Sequence, residues 1–362
     1  MVMNMALALV LFCLLNAHAA GLHKAIVSSS LLDALQAELN NSWSLTSPES
    51  AVHADFEESI AIVTDWKMGR DHAYITSLLE RIPHGRLLQV AMDGYEWLNF
   101  SAIPTRYAIC NVHNSNDAIS EYVLGAMLSW NVGLPQLDAD FRRCTWQATN
   151  NTCKDPPRHV QTKGQTVGII GFGNVGRGVA TRAAAIGMRI IAVTKDPSSV
   201  PPSPLAWIGS DSDLPRLMQE SDFVVVTVPL FPSTVGLVSP AVLSHMKSSG
   251  VLINVARAPI VDESGLYEAL KQRRIGGAIL DVWWNEMRWV SPGSGPSAWP
   301  SKFNFSALPN VWMTPHISWD TPESHQEGIV QVAANLRALA SGLPLQNVVR
   351  NASRRQTPSI SV

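Results

Sequence analysis

Short apolar runs alternate with amphipathic stretches along most of the chain. In the first third, KAIVSSS, SIAIVT, LLQVAM and YAICNV are β-rich apolar runs that predict strands. Between them, SLLDALQAEL and DHAYITSLLERI carry apolar residues at helical spacing. Because strands that alternate with helices pair in parallel through right-handed crossovers, this part of the chain predicts an α/β domain.

The second half of the chain repeats this alternation with more uniformly apolar strand segments. One long helical stretch, DAISEYVLGAMLSWNVGLPQLDADF, leads into it, and the runs FVVVTVP, GVLINVA, GAILDVW and VWMTPHI follow further on. Such runs are typical of a doubly wound parallel sheet that helices cover on both faces. We therefore predict a first domain from residues 22–125 plus 320–350, and a Rossmann-type domain from residues 126–319.

The first 20 residues have the pattern of a secretory presequence. MALALVLFCLLNAHAA is a short apolar run, and Ala17-His18-Ala19 fits an A-x-A cleavage site. No positive charge precedes the run, so a misassigned start or a loose N-terminal helix stays an alternative. We expect no membrane-spanning segment in the mature chain, and a flexible polar tail at residues 351–362.

Composition and charge narrow the class of protein. The chain has 362 residues, of which 46% are hydrophobic and 15% charged, and its net charge is −2. These values are typical of a soluble globular protein, and without a basic excess no nucleic-acid partner is expected.

The cysteines and the glycosylation sequons add little. Cys13 lies in the presequence, and the remaining three, Cys110, Cys144 and Cys153, are an odd number and not a disulfide framework, although the last two could pair within one loop. We expect no metal site. Five N-x-S/T sequons are weak support for a lumenal route; they begin at Asn40, Asn99, Asn150, Asn304 and Asn351.

A glycine-containing turn carries the clearest chemistry. Gly171-Phe172-Gly173-Asn174-Val175-Gly176 follows the strand TVGII and opens a helical segment. Gly171 allows a tight turn, Gly173 lets the backbone approach a pyrophosphate, and Gly176 lets the helix pack closely on the strand. The helix N-terminus adds free N–H groups and a positive dipole end. The turn therefore predicts a dinucleotide site that includes Asn174 and Val175.

Three polar residues follow strand-like runs of the second half. Arg257 comes after VLINVA, Glu286 lies five residues after Asp281, and His316 follows VWMTP. Strand ends on one side of such a sheet form the ligand crevice. There an arginine can grip a carboxylate through two hydrogen bonds, and a histidine beside a carboxylate can exchange protons near neutral pH. Taken singly, Arg257 could instead form a surface ion pair and His316 a satisfied core contact.

Together, these segments resemble the D-isomer-specific 2-hydroxyacid dehydrogenase family. The nucleotide motif TVGIIGFGNVGRGVATRAAAIGM, the long stretch from VTVPLFPST to YEAL, and the shorter GAILDVWWNEM and TPHISW carry the resemblance. It extends more weakly over residues 87–130. The resemblance implies a Rossmann-type domain plus a flavodoxin-like substrate domain, and a homodimer.

The family pattern assigns a role to each matching residue. Arg257 matches the substrate-binding arginine, His316 the catalytic histidine and Glu286 the glutamate paired with it. Asp281 matches the aspartate that contacts the nicotinamide carboxamide. Asp93-Gly94-Tyr95 matches the loop whose backbone N–H groups receive the substrate carboxylate.

The resemblance implies an NAD(P)-dependent dehydrogenase acting on the CH–OH group of its donor. We expect reduction of a small 2-keto acid, such as glyoxylate or hydroxypyruvate, to the D-2-hydroxy acid, with His316 as the general acid. A dinucleotide-sensing binding protein, like the corepressors built on this scaffold, stays an alternative, because such proteins can keep the catalytic residues.

The segment MRIIAVTKDPSS bears on the choice of cofactor. NAD-preferring relatives carry an acidic residue at the sixth position after Met188, where this chain has Thr194. Lys195 can pair with a 2′-phosphate, and Asp196, just before a proline, fits the cap of a turn. We therefore expect NADP to be preferred over NAD. The predicted cofactor site also includes Pro229, in the family stretch VTVPLFPST.

Two expectations concern the setting of the enzyme. Residues 287–310 form a Trp- and Pro-rich segment longer than the family pattern, which fits a surface insertion better than a lid. A secreted reductase would lack its reductant, because pyridine nucleotides are scarce outside cells. We therefore expect a membrane-bound compartment reached by the secretory route, with the cytoplasm as the alternative.

Overall fold

The computed structural model describes residues 22–40, 42–143, 159–200, 204–286 and 300–352. These residues form two compact units. The first unit comprises the chain up to Asn114 together with the chain from His325 onward. The second unit is Ser115–Ser324.

The first unit is built around a sheet of six described strands. Its strands are β1 (His23–Val27), β2 (Trp43–Thr46), β3 (Ser59–Thr64), β4 (Leu87–Val90), β5 (Ala108–Cys110) and β13 (Val348–Arg350). Its helices are α1 (Leu32–Glu38), α2 (His53–Glu58), α3 (Trp66–Gly69), α4 (His72–Arg81) and α11 (Pro322–Ser341), the last of which begins just before the unit boundary.

The strand order of this sheet is β13-β5-β4-β3-β1-β2. The first five strands of the chain are parallel and stand in the spatial order 2-1-3-4-5, which is the flavodoxin-like order. The antiparallel β13 closes one edge. The flavodoxin-like substrate domain is thus confirmed, and two short edge strands, β2 and β13, are additions that the apolar pattern did not predict.

The second unit is built around a sheet of seven described strands. Its strands are β6 (Thr166–Ile170), β7 (Arg189–Val193), β8 (Trp207–Gly209), β9 (Phe223–Val226), β10 (Val251–Asn254), β11 (Gly277–Leu280) and β12 (Val311–Met313). Its helices are α5 (Asn116–Val132), α6 (Leu134–Arg142), α7 (Asn174–Ala185), α8 (Leu214–Glu220), α9 (Pro240–Leu243) and α10 (Glu263–Lys271).

The strands of the second sheet are all parallel, in the order β12-β11-β10-β9-β6-β7-β8. The order reverses between β6 and β9, as in a Rossmann fold, and ligands bind such sheets beyond the carboxyl ends of the strands at this reversal. The predicted doubly wound sheet is confirmed. The turns that follow these strands therefore lie together at the carboxyl end of the sheet.

The long helical stretch before the nucleotide domain is two helices, not one. Gly133 separates α5 from α6 with a φ of +70°. A left-handed residue ends a helix because it breaks the hydrogen-bond ladder. The next helix begins at Leu134, with Pro135 in its first turn, where no intrahelical N–H partner is needed. The glycine and the proline are the local signal for this break.

Helix α5 belongs with the second unit, whereas the boundary predicted at residue 125 divides it. Val123 and Met127 are buried in the core of the nucleotide-binding sheet, beside Val179 of α7. A Cβ on Gly178 would lie 2.7 Å from the Ser120 hydroxyl oxygen, so this glycine allows α5 and α7 to approach closely.

Four remaining expectations concern the cysteines, the presequence, membrane-spanning helices and metal sites. Cys110 is buried, and its burial raises the thiol pKa to about 12, so it has no nucleophilic role near neutral pH. The presequence and the possible Cys144–Cys153 pair lie outside the described residues. Within the described ranges, no helix combines the length and apolarity that crossing a membrane requires, and no metal-binding cluster is found.

Candidate active site

The glycine turn after β6 has the geometry that a dinucleotide requires. Gly171 has a φ of +98°, and a Cβ there would lie 2.8 Å from the backbone nitrogen of Val228. A Cβ on Gly176 would lie 2.3 Å from the carbonyl oxygen of Gly171. Both positions therefore need glycine for the turn itself.

Gly173 differs from its two neighbours because a Cβ there would meet no atom within 4 Å. The fold does not need a glycine at this position, but an approaching pyrophosphate does. Helix α7 begins directly after it, at the exposed Asn174, so the first N–H groups of the helix face the same opening. Val175 is half-buried. These residues fit the phosphates of a nicotinamide dinucleotide.

The end of β7 separates the three candidates for contact with the ribose. Thr194 is half-buried, and its N–H donates to the carbonyl of Gly209 at 2.9 Å. Lys195 is exposed. The carboxylate of Asp196 accepts hydrogen bonds from the backbone N–H and the hydroxyl of Ser198, at 3.1 and 2.6 Å. Asp196 therefore caps a turn, as the position before Pro197 predicted.

Two further predicted residues, Pro229 and Arg257, follow neighbouring strands at the same carboxyl end of the sheet. Pro229 is exposed after β9, and its carbonyl accepts from the Thr234 hydroxyl at 2.8 Å. Arg257 follows β10, and one of its guanidinium nitrogens, Nη1, donates to the carbonyl of Ala256 at 2.7 Å. The turn that presents this half-buried arginine is part of the site.

A buried amide that sequence reasoning missed shapes the turn of Arg257. Asn254 closes β10, and its Nδ2 donates to the carbonyl of Arg257 at 3.2 Å. Its Oδ1 accepts from the N–H of Ala256 at 3.1 Å. Because one side chain bonds the backbone on both sides of the turn, Asn254 fixes where Arg257 leaves the strand. Its place at the strand end, three residues before Arg257, was the available signal.

His316 and Glu286 form a hydrogen-bonded pair. The Nδ1 atom of His316 lies 3.1 Å from Oε2 of Glu286, and both side chains are about a third exposed. The other carboxylate oxygen, Oε1, accepts from the backbone N–H of Trp283 at 2.7 Å. The indole Nε1 of Trp283 donates to the carbonyl of Thr314 at 2.9 Å. The predicted pair is therefore brought together, and Trp283 binds Glu286 as well as Thr314, two residues before His316.

Asp281 is fully buried directly after β11. Its Oδ1 accepts from the N–H of Ile317 at 2.9 Å and from the Thr314 hydroxyl at 2.6 Å, and its Oδ2 accepts from the N–H of Ser318 at 3.0 Å. The carboxylate thus holds the segment that carries His316. Its predicted contact with the nicotinamide carboxamide stays a prediction.

The predicted substrate loop, Asp93-Gly94-Tyr95, lies in the first unit after β4. The carbonyl of Asp93 accepts from the Asn111 amide at 2.8 Å, and the carbonyl of Gly94 accepts from the Trp97 indole at 3.1 Å. In a trans peptide the N–H points opposite to the C=O. The N–H groups of Gly94 and Tyr95 therefore face away from Asn111 and Trp97.

The segment predicted as a surface insertion divides into two parts. Residues 287–299 lie outside the described ranges, whereas residues 300–310 pack into the second unit. Phe305 is buried and stacks against Trp284 with ring centroids 5.6 Å apart. The N–H of Asn285 donates to the carbonyl of Pro300 at 2.8 Å, so the two described ends meet. The surface interpretation is thus wrong for Phe303 and Phe305, whose side chains pack into the core, whereas Lys302, Asn304 and Ser306 are exposed.

Comparisons with known proteins agree with this geometry. A Rossmann sheet with a dinucleotide turn and a histidine–carboxylate pair defines a dinucleotide-dependent oxidoreductase. The family model described as D-isomer specific 2-hydroxyacid dehydrogenase, NAD binding domain, matches residues 124–318. The chain belongs to the D-isomer-specific 2-hydroxyacid dehydrogenase family, and it is an NAD(P)-dependent oxidoreductase acting on the CH–OH group of donors.

Individual relatives cover most of the chain. It is 30% identical over 314 residues to the glycerate dehydrogenase of Methylorubrum extorquens, covering 86% of this chain and 91% of the relative. It is 30% identical to the glyoxylate reductase of Thermococcus litoralis, covering 75% and 79%. It also resembles the D-3-phosphoglycerate dehydrogenase of Methanocaldococcus jannaschii, with 31% identity, covering 65% of this chain and 41% of that protein.

A solved structure shows the same fold. The NADPH-dependent glyoxylate/hydroxypyruvate reductase of Sinorhizobium meliloti, solved with NADP and malonate, is 25% identical. It aligns with a TM-score of 0.68, covering 92% of this chain and 99% of that one. The use of NAD(P) by this chain follows from its family and agrees with its glycine turn.

Proposed function

We propose that the protein reduces a small 2-keto acid, of the glyoxylate or hydroxypyruvate kind, to the D-2-hydroxy acid. The observation that carries the proposal is the 3.1 Å hydrogen bond between His316 and Glu286, at the edge of the sheet that also presents the glycine turn. A histidine paired with a carboxylate there serves as a proton donor to a carbonyl oxygen. The names of the relatives support the substrate class.

Each polar residue has a separate task in this proposal. Because Nδ1 of His316 faces Glu286, Nε2 is the atom that donates the proton to the substrate oxygen. Glu286 orients the imidazole through its contact with Nδ1. Arg257 binds the substrate carboxylate and stabilises negative charge that develops on the carbonyl oxygen. When bound, the reduced nicotinamide cofactor supplies the hydride.

The loop of the first unit has a binding role in the same proposal. The N–H groups of Gly94 and Tyr95 can bind a carboxylate, since backbone N–H groups that converge in a loop bind anions. The carbonyl contacts to Asn111 and Trp97 support this role, because they turn these N–H groups the other way.

We propose that NADPH is preferred over NADH. Thr194 has no charge to repel a 2′-phosphate, and the exposed ammonium group of Lys195 is placed to attract one. The capping bonds of Asp196 support the proposal, because its carboxylate is directed to Ser198 rather than presented for a ribose.

Initial rates test the proposal. Purified protein is assayed with glyoxylate, hydroxypyruvate, pyruvate and 2-ketobutyrate, each with NADPH and with NADH, and the chirality of the product is determined. We expect keto-acid-dependent oxidation of NADPH that the His316→Gln variant loses. Dinucleotide binding without turnover of any acid would instead favour a dinucleotide-sensing protein.

We also propose a membrane-bound compartment, entered through the N-terminal presequence. The described sequon asparagines, Asn40, Asn99, Asn304 and Asn351, are all exposed, which supports their access to glycosylation. A fluorescent fusion at the C-terminus of the full chain should label a compartment, and glycosidase treatment should increase the mobility of the protein on a gel. Diffuse cytosolic fluorescence would refute the proposal.

The resemblance further supports a homodimer, which we propose as the state in solution. Light scattering coupled to size exclusion should give twice the mass of the purified chain. A mass equal to that of one chain across the micromolar range would refute the dimer.

A further inference from the structure

The backbone that presents His316 is strained. His316 has a φ of +59°, in the left-handed region that side chains other than glycine disfavour. Such a conformation is unfavourable and persists only where surrounding contacts hold it. The contacts on both sides of His316 therefore decide how its imidazole is presented.

The indole of Trp319 donates to the carbonyl of His316 itself at 3.1 Å, and Asp281 holds the residues on either side of it. The carboxylate of Asp281 binds the N–H groups of Ile317 and Ser318, directly after His316, and the hydroxyl of Thr314, two residues before it. A buried carboxylate with three hydrogen bonds is a rigid anchor, because moving any donor leaves buried charge unsatisfied. Asp281 thus holds the backbone segment on both sides of His316.

A residue far away in the sequence completes this arrangement. The hydroxyl of Tyr122, on α5, lies 2.7 Å from the Thr314 hydroxyl oxygen. The single proton of Thr314 is directed to Asp281, because a carboxylate only accepts. Tyr122 therefore donates to Thr314. Burial, followed by the charge of Asp281, raises the pKa of Tyr122, against the hydrogen bond to Thr314, so the phenol stays protonated as this role requires.

We propose that Tyr122 is a positioning residue for the acid–base histidine, acting through Thr314 and Asp281. The inference rests on the proposed function of His316. Without the tyrosine hydroxyl, the Thr314 side chain loses one of its two side-chain partners and can rotate away from Asp281. The strained segment then relaxes, and the imidazole departs from its alignment with Glu286.

The geometry gives this role a definite kinetic signature. Tyr122 contacts Thr314 rather than Arg257 or the glycine turn, so its loss should affect proton donation and not binding. A misplaced acid lowers kcat, whereas a weakened binding residue raises KM. A general loss of stability would lower the melting temperature without this separation of kcat from KM.

The first experiment compares two Tyr→Phe variants. Tyr122→Phe should lower kcat about tenfold, equivalent to about 1.4 kcal/mol, with both KM values within about twofold of wild type. Tyr107→Phe is the matched control, because the buried hydroxyl of Tyr107 donates to the carbonyls of Leu79 and Ile82 in the first unit. We expect this control to lower the melting temperature and leave kcat unchanged.

Substitutions of Thr314 test the same connection from its other end. Thr314→Ser keeps the hydroxyl and should keep kcat near wild type, whereas Thr314→Val should lose at least as much as Tyr122→Phe. The double variant Tyr122→Phe/Thr314→Val should be no slower than Thr314→Val, since the two groups act in series. Additive losses, or a Tyr122→Phe kcat within twofold of wild type, would overturn the inference. If Tyr122→Phe does not fold, the Ser and Val variants decide it.

A second readout separates this inference from the proposed function. The ring signals of His316 are followed by NMR with labelled histidine and identified by their absence in His316→Gln. They should shift in Tyr122→Phe and not in Tyr107→Phe. A wild-type protein that reduces no keto acid would refute the proposed function, yet these signals would still test the connection. Unmoved signals in Tyr122→Phe would overturn the inference even if the enzyme is active.

Discussion

The backbone N–H of Trp283 donates to one carboxylate oxygen of Glu286 at 2.7 Å and leaves the other facing His316 at 3.1 Å. The Glu286 carboxylate is therefore oriented by the backbone of its own turn, independently of its contact with His316. A side chain that is already oriented loses little further entropy when it binds its partner. The pair is thus preorganised for the proton donation that we propose.

Replacement of Glu286 by glutamine should slow the reaction without weakening cofactor binding. The amide fills the same space but cannot stabilise a protonated ring through charge, so kcat should fall by about 10- to 100-fold. Initial rates and calorimetric titration with NADPH measure kcat and cofactor binding.

The matched control is Glu263→Gln, in the same unit. Glu263 binds the Ser301 hydroxyl and the N–H of Lys302, away from His316. We expect wild-type kcat from this control. A Glu286→Gln enzyme with an unchanged kcat would contradict the role of the pair.

The variant Thr194→Asp should shift cofactor preference toward NAD. A carboxylate at this position repels the 2′-phosphate and can accept a hydrogen bond from the 2′-hydroxyl. The ratio of kcat/KM for NADPH over NADH should fall by about tenfold or more, or about 1.4 kcal/mol. Asp196→Asn, which alters the turn cap, is the control and should keep the ratio. Wild-type preference for NADH would refute the assignment of Thr194.

Substitutions of two glycines in the turn should have different effects, one on dinucleotide binding and the other on stability. Gly173→Ala should keep the melting temperature near wild type but weaken dinucleotide binding, because its Cβ points into open space that the pyrophosphate requires. Gly171→Ala should lower stability by more than about 1 kcal/mol, because of the positive φ and the contact with Val228. Thermal unfolding and calorimetric titration measure the two effects. Equal effects of both substitutions on binding and stability would contradict this separation.

Asn254→Ala should impair substrate binding more than cofactor binding. The turn of Arg257 loses its hydrogen bonds on both sides, so KM for the keto acid should rise by about tenfold, at about 1.4 kcal/mol per factor of ten. The dissociation constant for NADPH should stay unchanged. Asn131→Ala is the control, because this buried amide binds Thr162 and Gln165 before β6, at the other edge of the sheet. A rise in KM in both variants would point to general destabilisation.

A surface carboxylate should make stability depend on acid pH. Hydrogen bonds from Arg216, then Trp207, and the nearby Arg189 lower the pKa of Glu220 from 4.5 to about 2. The stabilisation is complete above pH 4.5, where the carboxylate is charged in both states, and is lost as pH falls toward 2. Glu220→Gln should therefore lower the melting temperature at pH 7, and the difference should shrink between pH 4.5 and 2. The exposed Glu80→Gln is the control, and a pH-independent difference for Glu220→Gln would contradict the assignment.

Local signals in the sequence were sufficient for much of the fold. Alternating apolar runs predicted β3 and α4 closely, because the period of apolar residues reflects the backbone geometry. The short edge strands β2 and β8 escaped prediction, since their few residues are only partly buried and carry no clear apolar period. The helix break at Gly133 was visible as a residue but was outweighed by the apolar pattern on either side.

The sequence by itself determined the glycine turn and the residues at the strand ends, because glycine spacing and strand hydrophobicity act through neighbouring residues. Only the tertiary structure decided which side chains hold them. Tyr122 and Thr314 lie 192 positions apart and meet because α5 packs against the sheet that ends in His316. Contacts of this kind depend on the packing of whole elements, and no local pattern of residues encodes which hydroxyl will reach which partner.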